Sequence, residues 1–187
     1  MRSIVVSGPP AVGKTTAAEA IASRFNMRYY SGGDILKSLA ASKGYKVSGS
    51  DWWDNEDGMK FLAERERNPE FDREVDSYLL NLLKEGGIVV TSYTLPWLLR
   101  DRCIKIYLKG SREKRASRMA IRDNIKYEDA LRIITIRDER NRMLYKNLYN
   151  IDIYNDLTVF DFVINTDDLD ATGVIDIVYV IVEHVIK

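Results

Sequence analysis

The chain has 187 residues, of which 45% are hydrophobic and 30% charged, and its formal net charge is zero. This balance is typical of a globular protein with a substantial core, and the lack of a basic excess argues against a general nucleic-acid binder. A single cysteine, Cys103, excludes a disulfide within the chain. Since no apolar run is long enough for a bilayer and no signal-peptide pattern follows Met1, we expect a cytoplasmic protein that acts away from membranes.

Short apolar runs alternate with helical patterns along the chain. This alternation predicts an α/β fold, with a five-stranded parallel sheet that carries helices on both faces and binds ligands at the carboxyl ends of its strands. The predicted strands span residues 3–7, 28–30, 88–91, 103–108 and 160–164. The predicted helices run from a glycine-rich turn to residue 25, then over residues 34–43, 59–84 with a break at Pro69, 111–149 and 171–186.

The glycine-rich turn has the sequence GPPAVGKTT and fits the phosphate-loop pattern G-x-x-x-x-G-K-[ST]. The loop must curl so that its backbone N–H groups face phosphate oxygens, and the following helix adds its positive N-terminal end. We expect Lys14 to reach the β- and γ-phosphates of ATP and the Thr15 hydroxyl to ligate Mg²⁺. The predicted nucleotide contacts are Gly8, Pro9, Ala11, Val12, Gly13, Lys14, Thr15 and Thr16, with Asn165 and Thr166 beside the adenine.

Basic residues concentrate in the segment 111–146. One interpretation is a solvated helix face with ion pairs. The alternative is a mobile helical lid, because the segment follows the fourth strand and phosphoryl transfer needs cations around the moving group. We favour the lid and predict Lys14, Arg118, Arg122 and Arg137 as the catalytic residues.

Four sequence blocks carry a family resemblance: GPPAVGKTT from Gly8, SGGDILK from Ser31, NPEFDREVD from Asn68 and YKNLYNIDIYNDLTVFDFVINT from Tyr145. They resemble the nucleoside monophosphate kinases, most closely the archaeal-type cytidylate kinases, over nearly the whole chain. The resemblance implies a P-loop NTPase fold with a helical acceptor-binding insert and a helical lid. It also implies ATP and Mg²⁺ as cofactors and a small-molecule phosphate acceptor, by family default CMP or dCMP.

The acceptor side departs from the family's pattern. Arginine forks suit bidentate phosphate contacts, and most of those that would hold a cytidylate are replaced. The replacements are Lys37, Ser77, Tyr78, Thr91, Ser92, Tyr93, Asn141 and Leu144. A non-nucleotide acceptor, such as mevalonate 3-phosphate phosphorylated on its 5-hydroxyl, is therefore the alternative. The predicted acceptor contacts are Ser31, Asp34, Lys37, Thr91, Tyr93, Arg140 and Asn141.

Two details of the acceptor side have alternative interpretations. The aromatic stretch 48–58 either lines a remodelled pocket or packs Trp52 and Trp53 as core. Asp34 is interpreted as the cap of its helix, with a water-mediated metal contact as a further role.

One P-loop kinase domain is expected over residues 1–187, as a monomer or homodimer. Its core would comprise residues 1–33, 86–110 and 158–187, its insert about 34–85 and its lid about 111–150. A nucleotide hydrolase or nucleotide-gated binding protein is the remote alternative. Against it, the chain lacks an acidic residue at the end of the third strand and has a substrate-sized helical insert.

Overall fold

Five parallel strands form the centre of the fold in the computed structural model, which describes residues 1–47, 52–99 and 103–186. The strands are β1 (Ile4–Ser7), β2 (Arg28–Ser31), β3 (Ile88–Thr91), β4 (Ile104–Lys109) and β5 (Phe162–Asn165). They are arranged in the order β2-β3-β1-β4-β5, and every neighbouring pair is parallel. The predicted five-stranded parallel sheet is confirmed.

The central position of β1 determines where a ligand can lie. Val6 is in register with Thr91 on one neighbouring strand and Ser7 with Tyr107 on the other. The loop that leaves β1 is therefore flanked by the loops after β3 and β4 at the carboxyl edge, where ligands of parallel sheets bind.

Eight α-helices and one short 3₁₀ helix, Trp52–Asp54, connect the strands within the described residues. The helices are α1 (Lys14–Arg24), α2 (Gly32–Ser42), α3 (Glu56–Arg67), α4 (Glu70–Leu83), α5 (Leu95–Leu98), α6 (Arg112–Asp123), α7 (Tyr127–Tyr149) and α8 (Ala171–Val185). As predicted, the helices pack on both faces of the sheet. Ile21 of α1 and Val178 of α8 share one core with Val6, and Leu79 of α4 shares the other with Val5.

Helix boundaries differ from the predictions where a cap was not recognised. The break at Pro69 is confirmed. The predicted helical region over 111–149 is divided into two helices, because Asn124 adopts a left-handed conformation (φ 52°) that ends α6. The prediction that Asp34 caps its helix is wrong: Ser31 is the N-cap, and its Oγ accepts a hydrogen bond from the Asp34 amide at 3.2 Å. Helix α5 was missed because it has only four residues.

Among the residues that the structure describes, no helix combines the length and apolar character that a membrane crossing requires.

Candidate active site

A cavity of about 1070 Å³ opens at the carboxyl edge of the sheet. Its walls come from the loop after β1, the start of α2, the 3₁₀ helix, α3, α4, the end of β3, both helices after β4 and the start of α8. The predicted phosphate loop and the predicted acceptor-binding segment therefore face one shared space.

The phosphate end of the cavity depends on backbone geometry. Gly8 has φ 143°, and a Cβ at this position would lie 2.2 Å from the Leu108 carbonyl oxygen, so a side chain is excluded. Gly13 has φ 100° and precedes the first turn of α1. This geometry lets the loop approach β4 closely and turn into the positive end of a helix, as phosphate binding requires.

Lys14 lies at the start of α1, between the phosphate loop and Tyr93. Its Nζ donates a hydrogen bond to the Pro9 carbonyl at 2.7 Å and lies 5.0 Å from the centre of the Tyr93 ring. Burial, together with the positive charges of Arg137 and Arg115, lowers the pKa of Lys14 to about 7. An arriving phosphate would restore the charge, since a nearby anion favours the protonated amine.

Two of the three predicted lid arginines converge on one carboxylate. Arg122 Nη2 donates to Asp54 Oδ2 at 2.8 Å, and Arg137 Nη1 donates to Asp54 Oδ1. Arg118 lies apart from them, because its guanidinium donates to Thr166 and to the Leu169 carbonyl in the loop after β5. All three arginines line the cavity, but Arg118 is held on the flank of β5.

Arg115 is a structural arginine that the sequence analysis did not single out. It is buried, forms a bidentate ion pair with Asp138 at 2.6 and 3.0 Å, and donates to the Pro10 carbonyl of the phosphate loop at 3.2 Å. The spacing of Arg115, Arg118 and Arg122 could have indicated it, since these three residues lie on one face of a helix.

The acceptor end is built from buried, mutually bonded side chains. Arg65 and Asp72 form a bidentate ion pair at 2.6 and 3.0 Å, and the Tyr145 hydroxyl contacts both. Asp76 accepts hydrogen bonds from the hydroxyls of Thr94, at 2.6 Å, and Tyr149, at 2.8 Å.

Burial changes the ionisation of the Asp76 carboxyl at this end of the cavity. It raises the pKa of Asp76 to about 6 in spite of the two hydroxyl donors. Arg65, Asp72 and Asp76 line the cavity, and none of them was predicted as a site residue. Their role depends on contacts between distant segments, which residue types alone do not reveal.

Most predicted contacts face the cavity. Among the predicted acceptor contacts these are Ser31, Asp34, Lys37, Thr91, Tyr93 and Asn141, and from the loop Ala11, Val12, Gly13, Lys14, Thr15 and Thr16. Trp52 is fully buried as core, whereas Trp53 lines the cavity. Residues 48–51 of the aromatic stretch lie outside the described residues.

Several predicted contacts are directed elsewhere. Arg140 does not line the cavity and instead pairs with Glu66 at 2.6 Å. Thr166 is fully buried, and its hydroxyl donates a hydrogen bond to the Lys109 carbonyl. The Asn165 side chain accepts a hydrogen bond from the Asp167 amide. In this part of the chain Leu169, Asp170 and Ala171 line the cavity instead.

Gly8 and Pro9 also lie outside the lining. Gly8 is packed against β4, and Pro9 meets Lys14 through its carbonyl oxygen. They shape the phosphate loop from behind, and Pro10 faces the cavity in their place.

The side chains around the cavity suit a metal ion that binds together with the phosphates of a nucleotide. The described residues contain no group of three or more His, Cys, Asp or Glu side chains that could hold an ion alone. Mg²⁺ commonly keeps its waters and needs only one or two protein ligands when phosphates supply the others. Thr15 and Asp34 both line the cavity, so these residues fit such an ion.

A model of the cytidylate kinase-like family matches residues 3–168. The chain belongs to this family. A cytidylate kinase of Pyrobaculum islandicum is 41% identical over 175 residues, which cover 93% of this chain and 89% of the relative. One of Pyrococcus horikoshii is 34% identical over 181 residues, with coverage of 97% and 88%.

Solved structures give the same fold at low sequence identity. A shikimate kinase of Bacteroides thetaiotaomicron has a TM-score of 0.61 at 15% identity and covers 100% of this chain and 99% of its own. A gluconokinase of Sinorhizobium meliloti has a TM-score of 0.51 at 18% identity, with coverage of 94% and 87%. The expected P-loop kinase fold is confirmed.

Membership of the family establishes an ATP-dependent kinase of the nucleoside monophosphate kinase type. Neither the hydrolase alternative nor the non-nucleotide acceptor that the sequence departures suggested has support from the relatives named cytidylate kinase.

Proposed function

We propose that this chain transfers the γ-phosphoryl group of ATP to a small phosphorylated acceptor, with CMP or dCMP as the first candidates. The observation that carries the proposal is the single cavity, in which the phosphate loop, the lid arginines and the insert share one space. A kinase needs such an arrangement because donor and acceptor must meet in line.

The phosphate loop and its lysine bind the donor. Backbone N–H groups of the loop and the start of α1 hold the phosphate oxygens, and Lys14 leaves the Pro9 carbonyl to meet the β- and γ-phosphates. Thr15 is the residue that would hold Mg²⁺. The ion, when bound, neutralises the phosphate charge.

The lid supplies the remaining positive charge. Arg137 lies near enough to Lys14 to lower its pKa, so both cations act on the same region of the cavity. Charge on the equatorial oxygens of the moving group is therefore stabilised from two sides. Arg118, at the β5 flank, positions the loop after β5 beside the base of the nucleotide.

The acceptor end orients the second substrate. Apolar side chains of Leu62, Val75 and Leu79 form part of its walls, and Arg65, Asp72 and Asp76 provide polar groups. The buried carboxylates and the Asn141 amide suit hydrogen-bond donors and acceptors of a base or sugar. Closure of the walls excludes water, which favours transfer over hydrolysis.

A coupled assay for ADP, run with and without acceptor, tests the proposal. The acceptor panel comprises CMP, dCMP, UMP, AMP, GMP and mevalonate 3-phosphate. We expect turnover that depends on CMP or dCMP. Turnover that is equal without acceptor would overturn the kinase assignment, and turnover of mevalonate 3-phosphate alone would overturn the nucleotide acceptor.

A further inference from the structure

Asp54 is a buried carboxylate at the meeting point of the insert and the lid. It is only 5% exposed, and it accepts hydrogen bonds from Arg122 of α6 and Arg137 of α7. It also lines the cavity. Neither the phosphate-loop motif nor the family resemblance drew attention to it.

The position of Asp54 is fixed by its neighbours in sequence. Trp52 is fully buried, and its Nε1 donates to the Lys46 carbonyl at 2.9 Å. Asn55 caps α3 by accepting a hydrogen bond from the Gly58 amide at 3.0 Å. The carboxylate is therefore held between a core anchor and a helix cap, on a well-packed part of the insert.

The two arginines differ in how they use Asp54. Arg122 is 42% exposed and also bonds Asp123, whereas Arg137 is 13% exposed and donates to Asp54 alone among the described residues. A guanidinium has five N–H donors, so one arm of Arg137 can rest on Asp54 while the other faces the cavity. Asp54 also offsets the repulsion between two cations that lie close to Lys14.

We propose that Asp54 is a positioning residue for phosphoryl transfer, whose carboxylate, itself held by Arg122, keeps Arg137 in the orientation that meets the transferred group. This inference rests on the proposed function, because it concerns the arginines that act in it. It explains why an acid stands beside arginines in a site for anions. A preset guanidinium needs no reorganisation during the reaction, and that is where electrostatic catalysis gains most.

A second lid–insert ion pair provides a matched control. Arg140 and Glu66 join α7 to α3 at 2.6 Å, and neither residue lines the cavity. If Asp54 only clasped the lid to the insert, Glu66→Gln and Asp54→Asn would have similar effects. Our inference predicts that only Asp54→Asn affects the reaction.

The test is a double-mutant cycle with Asp54→Asn and Arg137→Ala, assayed with the best acceptor of the panel. We expect Asp54→Asn to lower kcat by roughly 10- to 100-fold, as misplacement of a catalytic group does, with a smaller change in KM. In the Arg137→Ala background the same substitution should change kcat by less than about threefold, because coupled residues are not additive. A full additional loss in that background would overturn the inference.

Two further measurements make the test robust. Thermal unfolding shows whether Asp54→Asn is folded at the assay temperature; if it is not, Asp54→Glu, which keeps the charge, takes its place in the cycle. The cycle is repeated on the Kd of magnesium-loaded ATP by calorimetry, where Asp54→Asn should weaken binding about threefold or more unless Arg137 is absent. This second cycle needs no acceptor. It tests Asp54 even if the acceptor panel fails, and additivity there would also overturn the inference.

Discussion

The two ends of the cavity are made from different parts of the chain. The phosphate end is one continuous loop whose function depends on backbone geometry, with Gly8 and Gly13 at positive φ and Lys14 as its main side chain. The acceptor end consists of side chains from α3, α4 and α7 that bond to one another. One end is therefore specified by a local stretch of sequence, whereas the other forms only once distant helices have packed.

This difference predicts where substitutions act. At the acceptor end, removal of a charge should cost stability, because its partner stays buried. At the phosphate end, removal of a charge should cost catalysis and leave the fold intact.

The largest effect is expected from Asp72→Ala. Arg65 and Asp72 are 4% and 3% exposed, so the substitution leaves a buried guanidinium without its counter-charge and should lower the free energy of unfolding by about 3–5 kcal/mol. Denaturant unfolding measures the change. The matched control is Glu70→Ala on the same helix, whose exposed pair with Arg73 should contribute at most about 1 kcal/mol. Equal losses would remove the distinction between the two ends.

Lys14→Ala should not destabilise the fold but should be severe in catalysis. Loss of the ammonium group removes charge stabilisation from the transition state, so kcat should fall by at least ~100-fold. The coupled ADP assay checks this, with Lys84→Ala as the control because Lys84 lies at the exposed end of α4, where its side chain donates a hydrogen bond to Asn81. Normal turnover by Lys14→Ala would rule out the assigned phosphate site.

Two arginines of α7 should behave differently although they are three residues apart. Arg137→Ala should lower kcat by about 30- to 100-fold, since its guanidinium faces the phosphate end. Arg140→Ala should change kcat by less than about threefold, since a partly exposed pair contributes little. The coupled ADP assay on both variants measures the two changes in kcat. A larger loss of kcat in Arg140→Ala than in Arg137→Ala would place the acceptor on the other face of α7.

The smallest effect is a pH dependence of ATP binding. The Lys14 pKa is about 7 in the free protein, below its ordinary value of 10.5, and phosphates bind the protonated form. Above pH 7 binding should therefore take up a proton and weaken by at most about tenfold per pH unit. Calorimetry at pH 7.5 to 9 in buffers of different ionisation enthalpy detects the uptake, and Lys14→Met should abolish it.

The free protein should show the opposite trend in stability. Because the folded-state pKa of Lys14 is lowered, its burial costs stability below pH 7, and the cost is relieved as pH rises from about 7 towards 10.5. Unfolding curves of the wild type and of Lys14→Met over this range would show the difference, and parallel curves would contradict the assigned pKa.

The sequence predicted the sheet and the phosphate loop because both depend on local patterns. Apolar strands of four to six residues alternate with helices, and Gly8, Gly13 and Lys14 stand at fixed spacing. The predicted boundaries of core, insert and lid remain a prediction.

The buried polar network of the acceptor end, Arg65, Asp72 and Asp76, was missed for a physical reason. Asp72 becomes a site residue only because Arg65 and Tyr145 approach it from other helices. Arg140 stays a predicted acceptor contact that the structure pairs with Glu66 outside the cavity lining, because residue type does not show which face of α7 meets the cavity. Asp54 follows two tryptophans that drew attention as aromatic residues, and its importance appears only when α6 and α7 bring arginines to it.

Helix α7 has a mechanical consequence. It has 23 residues and so extends about 35 Å. Arg137 near the phosphates and Tyr149 on Asp76 belong to this one rod, roughly 18 Å apart along its axis. Because Tyr149 bonds Asp76, which lines the cavity, an acceptor that displaced Asp76 would also load this helix, and a tilt at that end would move Arg137 at the other.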